Sequence, residues 1–297
     1  MMEMLPVSER TPDNQYRDRL KQILTEGVEI KNTAQEVPAI TLFGTLPPMV
    51  FDLRNGAPII TERKIGFWRK PIAELLCFIH GFRTLSMLEA LGCGWWSQWA
   101  TEEKCKKRGL ATGDLGPGSY GAAFCNFPMP NGDGFNQFVQ VVEEIKNNPH
   151  SRTIFVSPWI PYYAMPRGAD QKAVVSPCHG WVHLRVMNGR LHLHMFQRSA
   201  DFPVGVPSNM VQYAALLLML AQVTGYEPGC FHHSFSDAHI YADQVEAVKE
   251  IISRPSRPLP TLALDEDITD LFEFTPDHFT LTDYDPHPAI NSIPVAT

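Results

Sequence analysis

The amino-acid sequence predicts a mixed α/β fold built as one domain. Helical and strand-like patterns are interspersed along the chain, without the strict β-α-β alternation of a parallel sheet. The 297 residues are enough for one large core, and 44% of them are apolar, which rules out wholesale disorder. Because no clean linker divides the chain, the predicted domain spans residues 1–297.

Four helices follow from apolar spacing, caps and stop signals: residues 12–27, 71–91, 208–224 and 238–253. Thr11 is the predicted N-cap of the first helix, Gly225 closes the third, and Pro255 stops the fourth. Each helix has a face of apolar residues that can pack on a sheet.

Three strands are predicted: residues 152–156, 181–186 and 191–196. Asn188-Gly189 separates the last two, and this dipeptide is the strongest short signal for a β-hairpin. Residues 102–133 are rich in glycine, proline and charge, which predicts a long ordered loop of the kind that often carries function.

The charge balance excludes some classes of partner. Lysine and arginine total 25 against 32 acidic residues, a net charge of −7, which argues against a broad grip on duplex nucleic acid. Any anionic ligand must therefore be bound by a few focused arginines.

The cysteine pattern and the lack of targeting signals predict a reduced, cytoplasmic protein. The six cysteines form no Cys-x-x-Cys pair, so a zinc ribbon has no support. The first eleven residues are polar and do not resemble a signal peptide. The longest apolar stretch, residues 214–221, is far short of the roughly 20 residues that span a bilayer.

Cys178 is the first candidate for chemistry. A cysteine is more often a small buried hydrophobe than a nucleophile, but Arg198 comes just after the strand that pairs with the one following Cys178. An arginine near a thiol stabilises the reactive thiolate, and Arg198-Ser199 could also bind a phosphate. The alternative for Arg198 is a surface ion pair.

Histidine and tryptophan clusters give weaker signals. His192 and His194 alternate onto one strand face, but a metal site needs three convergent ligands and no matching third is evident, so structural histidines are favoured. Trp95, Trp96 and Trp99 are more typical of a core, although the neighbouring glycine-rich loop leaves a ligand-stacking role open.

An ordered set of motifs resembles the folate-dependent thymidylate synthase family, which includes the pyrimidine hydroxymethylases. The matching segments are Glu74 to Leu76, Trp96 to Ala100, Gly113 to Pro117, Tyr120-Gly121, Pro177 to His179, Gln197 to Asp201, Gly205, Pro207, Asn209, Asp237 to Tyr241, Tyr284 to Pro288 and Pro294 to Ala296. The resemblance runs from about Gln15 to Thr297, with insertions at residues 102–108 and 165–171. It implies a large mixed sheet covered by helices, in a homodimer that forms through the sheet.

The resemblance also implies a reaction. The Cys178 thiolate would add to C6 of a pyrimidine ring, so that C5 can attack the methylene of 5,10-methylenetetrahydrofolate, the co-substrate, with no metal. The implied catalytic residues are Cys178, Glu74, Tyr120, Arg198, Asn209 and Asp201. Of these, Glu74 would organise water for proton transfers and Tyr120 would assist proton removal at C5.

The substrates implied are dUMP and folate. The implied nucleotide-binding residues are Gln197, Arg198, Ser199, Asn209, His239, Tyr241, His179 and, from the neighbouring subunit, Arg152. An amide at Asn209 can serve uracil, because it donates to O4 and accepts from N3–H, whereas family members that act on cytosine typically have aspartate there. The implied folate-binding residues are Trp96, Trp99, Asp201, Gly205, Ser208 and Thr297.

The sequence departs from the family pattern at both ends of the implied site. Thr153 replaces a second phosphate arginine after Arg152, and the usual Arg-Thr-Gly phosphate loop is missing, with Lys31 the only cation nearby. On the folate side, Phe67 stands where a histidine is usual, Ser208 where a phenylalanine is usual, and Thr297 where an aliphatic residue is usual.

Three functions therefore stay open at this stage. Methylation, which gives dTMP and dihydrofolate, is slightly favoured by Trp96 and by the C-terminal tail, since both would keep water out. Hydroxymethylation by water, in a divergent enzyme of viral origin, is the alternative that the departures favour. A nucleotide- or RNA-binding paralogue without activity is the remote alternative.

Overall fold

The computed structural model describes residues 4–31, 33, 35–290 and 293–296. Its α-helices are α1 Gln15–Glu26, α2 Arg69–Ile79, α3 Leu85–Ala90, α4 Glu102–Lys106, α5 Tyr120–Cys125, α6 Gln137–Asn147, α7 Pro161–Ala164, α8 Gly205–Thr224 and α9 Val245–Ser253. Its strands are β1 Val28–Ile30, β2 Ala39–Phe43, β3 Met49–Asp52, β4 Phe127–Pro128, β5 Gly134–Phe135, β6 Phe155–Val156, β7 Trp181–Met187, β8 Arg190–Asp201, β9 Glu227–Tyr241, β10 Thr261–Leu264 and β11 Phe279–Thr282.

A seven-stranded mixed sheet organises the chain. Its order is β1-β2-β9-β8-β7-β6, with β3 also paired to β9. The β7–β8 pair is antiparallel and joined by Asn188 and Gly189, both at positive φ, as the Asn-Gly hairpin signal predicts. The predicted mixed α/β fold with a large helix-covered sheet is confirmed.

Helix α8 forms the crossover between the parallel strands β8 and β9 and packs on both. It is apolar on nearly all sides and ends at Gly225, whose left-handed φ of 76° suits glycine. By length and composition α8 could cross a membrane, but 83% of its apolar window is buried inside the protein, as expected of a core helix. The Ser208 and Asn209 side chains therefore sit near the N-terminus of a rigid central element.

The other face of the sheet is only partly covered by the described residues. Phe155 on β6 is 50% exposed and Phe196 on β8 is 36% exposed, although both belong to strands whose alternate residues are fully buried. A sheet with one face buried by helices and one face carrying exposed aromatic rings has an unpartnered apolar surface.

Several predicted helix boundaries move. The first helix begins at Gln15 instead of Pro12, and the third begins at Gly205 instead of residue 208. The predicted helix 71–91 is two helices, because Gly81, at φ 76°, turns the chain between α2 and α3. These shifts are of the size expected where caps and glycines, rather than apolar spacing, set the ends.

Three larger predictions were wrong. Residues 238–241 are not helical: they end strand β9, where Ala238 pairs with Leu42 and Tyr241 with Ala39, and only residues 245–253 form a helix. The predicted loop 102–133 contains α4, α5 and β4, and the predicted strand 152–156 is reduced to Phe155–Val156. The fifteen-residue strand β9, the longest in the described chain, was not predicted.

Candidate active site

A thiol and a guanidinium meet where the loop before β7 crosses the end of β8. The Arg198 amide donates to the Cys178 carbonyl at 2.8 Å, which ties the loop to the strand. The Arg198 side chain then folds back, with Nε donating to the Pro177 carbonyl at 2.6 Å and Nη2 to the Ser176 carbonyl at 2.8 Å. The same Nη2 lies 3.4 Å from Cys178 Sγ, so the two predicted groups are in contact.

Two effects act against each other on the Cys178 thiol. Burial raises its pKa, because a thiolate loses solvation there, while the Arg198 charge lowers it and Asp237 raises it. The predicted lowering by Arg198 is present, but burial outweighs it in the chain alone. As a whole residue Cys178 is only partly buried, because it lies in the loop before β7.

Tyr120, at the start of α5, supports the thiol loop from below. Its hydroxyl accepts hydrogen bonds from the amides of Cys178, at 2.7 Å, and His179, at 3.4 Å. Its ring stacks on Phe78 and on His179, with centroids 4.7 and 4.6 Å away. Burial, first, and the neighbouring Cys178 raise the pKa of Tyr120 well above its usual value, so the hydroxyl keeps its proton.

Glu74, on α2, is a buried carboxylate surrounded by donors. Its Oε1 accepts from the indole nitrogens of Trp95, at 2.7 Å, and Trp96, at 2.5 Å, and its Oε2 accepts from Gln212 Nε2 at 2.5 Å. Burial raises the pKa of Glu74 to about 6, although the three donors act in the opposite direction. A carboxyl group with such a pKa can exchange protons near neutral pH.

Asn209 lies one turn into α8 and is 5% exposed. Its Oδ1 accepts from Gln197 Nε2 at 3.0 Å, and its Nδ2 donates to Gln212 Oε1 at 2.8 Å. An amide has two donors and two acceptor positions, so one of each is left for a ligand.

Asp201 ends β8 beside the C-terminal tail, residues 293–296. Gln244 Nε2 donates to both Asp201 oxygens, at 3.3 and 3.2 Å, and to the Pro294 carbonyl at 2.9 Å. Burial raises the pKa of Asp201 to about 6, against an opposing effect of His239. One glutamine thereby joins the buried carboxyl group to the tail.

A cavity of about 740 Å³ opens next to Glu74 and Asn209. Aromatic rings (Phe67, Trp95, Trp96, Trp99) form one wall, tail residues Ile293 and Val295 contribute to its lining, and Arg63, Lys64 and Lys70 supply cations. Gly205 and Ser208 also line it, so four of the six predicted folate residues meet here. Asp201 and Cys178 are not among the lining residues of the described chain, and Thr297 lies outside the described residues.

The remaining predicted residues lie on the two central strands, in the thiol loop and just before β6. Ser199, His239 and Tyr241 are carried by β8 and β9 close to Asp201 and Cys178: Asp201 is in register with His239, and Ser199 with Asp237. His179 accepts or donates at Nδ1 to the Tyr213 hydroxyl at 2.7 Å, and burial lowers its pKa to about 3, so it is neutral. Arg152 is exposed and lies just before β6, where its carbonyl oxygen is 3.1 Å from His183 Nε2.

A separate group on the sheet brings together His192, Cys230 and His232, with one ligand atom of each within 4.8 Å of the others. The expectation that no third ligand would converge on the histidines was therefore wrong, since β9 supplies Cys230. However, His192 Nδ1 already accepts a hydrogen bond from the Cys230 amide at 3.1 Å, which occupies its lone pair.

The sequence did not predict three residues of the site. These are Trp95, which donates to Glu74, and the glutamines Gln212 and Gln244. The spacing of Asn209 and Gln212, three residues apart on one helix, was a usable signal, because such residues share a face. Nothing local in the sequence pairs Gln244 with the tail, fifty residues away.

A comparison with protein families agrees with this geometry. A family model described as thymidylate synthase matches residues 14–296, almost the whole chain. The family is enzymatic, uses methylenetetrahydrofolate as co-substrate, binds dUMP and folate, and is typically dimeric. The chain therefore belongs to the thymidylate synthase family, whose members carry out folate-dependent one-carbon transfer to C5 of a pyrimidine.

Proposed function

We propose that this enzyme transfers a one-carbon unit from 5,10-methylenetetrahydrofolate to C5 of dUMP through a covalent Cys178 adduct, giving dTMP and dihydrofolate. The observation that carries the proposal is the contact of 3.4 Å between Cys178 Sγ and Arg198 Nη2, at a residue that is itself only partly buried. Attack of the thiolate on C6 leaves C5 as the nucleophilic carbon.

Arg198 serves the nucleophile by charge and the nucleotide by geometry. Its Nε and Nη2 are held by backbone carbonyls, while Nη1 has no partner among the described residues and can reach an anion. With the Ser199 hydroxyl it would bind the 5′-phosphate. A phosphate bound to Arg198 would share the positive charge that stabilises the Cys178 thiolate, so this one arginine would interact with both anions.

The base and sugar contacts come from rigid elements. Asn209, oriented through Gln197, has one free donor and one free acceptor for uracil O4 and N3–H. His239, whose Nδ1 is bound to Asp237 Oδ1 at 2.9 Å, and the neighbouring Tyr241 would hold the sugar hydroxyl. His179 and Tyr120 keep the thiol loop in place, and the Tyr120 hydroxyl would assist removal of the C5 proton.

The aromatic cavity fits a reduced folate. Trp96 and Trp99 offer flat surfaces for a planar pterin and its benzoyl ring, and Lys64 and Lys70 offer charges to a glutamate tail. Gly205 and Ser208 would lie beneath the pterin, with Asp201 receiving its donors, and Glu74 would organise a water between the two ligands. The bound folate supplies the one-carbon unit, and these residues orient it and exclude water.

The assembly proposed is a homodimer through the open face of the sheet. The exposed Phe155 and Phe196 rings support it, because burying them in a second copy removes apolar surface from water. Arg152, exposed at the edge of that face, would reach the partner's phosphate site and so compensate in part for Thr153 and the missing phosphate loop. A cytoplasmic setting and a viral origin stay predictions from the sequence.

Hydroxymethylation is the second candidate, and Ser208 is the observation that favours it. Ser208 lines the cavity with a hydroxyl where an apolar ring would exclude water better. Water that reaches an exocyclic methylene on C5 gives the hydroxymethyl product and leaves tetrahydrofolate unoxidised.

The test incubates the enzyme with dUMP and methylenetetrahydrofolate, follows the absorbance rise of dihydrofolate, and determines the product mass. Methylation predicts dTMP and one dihydrofolate per turnover, whereas 5-hydroxymethyl-dUMP without the absorbance change would replace it by the second candidate. In parallel, 5-fluoro-dUMP with the same folate should form an adduct on Cys178. Absence of both turnover and adduct would reject catalysis and favour the binding paralogue.

A further inference from the structure

A continuous chain of buried side-chain hydrogen bonds connects β9 to α2 through the base-reading asparagine. His233 Nε2 lies 2.8 Å from Gln197 Oε1, Gln197 Nε2 donates to Asn209 Oδ1 at 3.0 Å, Asn209 Nδ2 donates to Gln212 Oε1 at 2.8 Å, and Gln212 Nε2 donates to Glu74 Oε2 at 2.5 Å. We call these five residues the relay. Each of them is less than a tenth exposed.

The direction of the relay is fixed at the Glu74 end. An ionised carboxylate can only accept, so Gln212 must turn its NH₂ group toward Glu74 and its carbonyl toward Asn209. Asn209 must then present Nδ2 to Gln212 and Oδ1 to Gln197. The indole groups of Trp95 and Trp96 can only donate, and both bind the other carboxylate oxygen of Glu74. Glu74 therefore acts as an acceptor in all three hydrogen bonds, which keeps the direction of the relay.

The His233 end accommodates that direction. Gln197 Oε1 is an acceptor, so His233 must carry its proton on Nε2, and its Nδ1 has no partner among the described residues. A neutral imidazole has one N–H only, and the relay uses it. His233 is fully buried, and desolvation holds its pKa well below the usual value, which keeps the ring neutral.

We infer that Gln212 is a positioning residue that sets the base specificity of Asn209 through this relay. The relay uses one donor and one acceptor of the Asn209 amide and turns its NH₂ group toward Gln212 and its carbonyl toward Gln197, so the remaining N–H belongs to the Gln212 side of the amide. A pyrimidine whose C4 group points to Glu74 must therefore offer an acceptor there. Uracil O4 is an acceptor, and the cytosine amino group is a donor, so the relay selects uracil. This inference rests on the proposed function, because it takes Asn209 as the reader of the base.

The first measurement uses the unmodified protein. Long-range ¹H–¹⁵N NMR correlation of the histidine rings should show His233 as the Nε2–H tautomer. The Nδ1–H tautomer would overturn the inference, because Gln197 and Asn209 would then point the other way. This measurement needs neither a nucleotide nor a variant, so it decides the direction even if a variant fails to fold.

The second measurement compares Gln212→Met, which keeps the length of the side chain but not its hydrogen bonds, with Gln222→Met on the same helix. Gln222 bonds two loop carbonyls at the far end of α8 and does not line the cavity. Dissociation constants for dUMP and dCMP give a selectivity ratio for each protein. In Gln212→Met the ratio should fall about tenfold, as expected for one lost hydrogen bond, while Gln222→Met keeps the wild-type ratio.

The two ligands separate positioning from general damage. A variant that merely destabilises the pocket weakens both nucleotides together, and an unchanged ratio in Gln212→Met contradicts the inference. Failure of the proposed function looks different, because the wild-type enzyme itself would then bind no dUMP and form no adduct with 5-fluoro-dUMP.

Discussion

The two halves of the site are built from different interactions. The half that we propose to face the base, called the base-facing half, consists of Cys178, Gln197, Arg198, Asn209 and Gln212, which are hydrogen-bonded side chains on β8, α8 and the loop before β7. The half that we propose to face the folate, called the cofactor-facing half, consists of Phe67, Trp95, Trp96, Trp99 and tail residues 293–296, and it is mostly aromatic and apolar surface.

This difference indicates where chemistry and product choice are decided. Directional hydrogen bonds fix the atoms that react, so a single change in the base-facing half should cost much activity. Apolar packing excludes water in a graded way, so changes in the cofactor-facing half should alter rates and products more gently. Glu74 joins the halves, because its donors come from both.

The largest effect is expected in the base-facing half from Cys178→Ala. Without the sulfur no bond to C6 can form, so turnover should fall by about 10³-fold or more. Mass spectrometry should show no adduct with 5-fluoro-dUMP. Cys230→Ala, which removes a thiol from the open sheet face, is the matched control. Substantial turnover in Cys178→Ala would refute the covalent mechanism and with it the contrast between the halves.

The next effect is a change of substrate in Asn209→Asp. A carboxylate cannot donate to uracil O4, but it can accept from the cytosine amino group, so kcat/KM for dUMP should fall by about 10²-fold while dCMP gains. Competition between the two nucleotides in one reaction measures the preference directly. An unchanged preference for dUMP would remove Asn209 from the role of base reader.

How much of this arrangement the sequence could predict depends on the range of the interactions. Cys178 and Arg198 were predictable, because the hairpin at Asn188-Gly189 determines the pairing that brings their segments together. Helix α8 was predictable from its own composition. The segment 238–241 was misassigned because its strand conformation comes from pairing with Ala39–Phe43, two hundred residues earlier, and local propensity carries no trace of that.

The polar contacts of the site were harder to predict than its motifs. Glu74 was predicted to organise water, and its three protein donors come from two elements, the helical turn Trp95–Gln98 and α8, which meet only in the folded chain. The convergence of Cys230 on His192 and His232 likewise depends on an irregular register, in which Leu191 and Leu193 of β8 pair with Pro228 and Phe231 of β9.

A smaller effect, at the junction of the halves, is expected from Trp95→Phe. A phenylalanine ring can still pack against Phe67, but one of the three hydrogen bonds to Glu74 is lost. The Glu74 carboxylate is then less stabilised, so the pKa of Glu74 rises above about 6. If the carboxylate is the active form, the acid limb of the kcat–pH profile should move up by about one pH unit. Trp68→Phe, at the start of α2, is the matched control. If the acid limb of the kcat–pH profile lies at the same pH in both variants, the Trp95 indole does not stabilise the Glu74 carboxylate.

The same carboxyl group makes a prediction about stability. The pKa of Glu74 is raised in the folded state, so folding favours its protonated form, and this contribution is present below about pH 4 and lost as the pH rises through 6. Glu74→Gln should therefore lose part of the fall in unfolding free energy between about pH 4 and 6, measured by urea titration at several pH values. A profile as steep as that of the wild type would contradict the raised pKa.

The smallest effect is expected in the cofactor-facing half, from Gln244→Met. Gln244 is fully buried and holds the tail through the Pro294 carbonyl, but Ile293 and Val295 also contact the cavity, so the tail should loosen without detaching. Turnover of dUMP should fall by less than about tenfold, since the tail loses one neutral hydrogen bond and the Asp201 carboxyl group loses its Gln244 donor, while the fraction of hydroxymethyl product rises because water enters more often. Product mass spectrometry measures that fraction, with Gln222→Met as control. A drop in turnover as large as that of Cys178→Ala would reverse the comparison, because closure by the tail would then decide the chemistry as strictly as the thiol does.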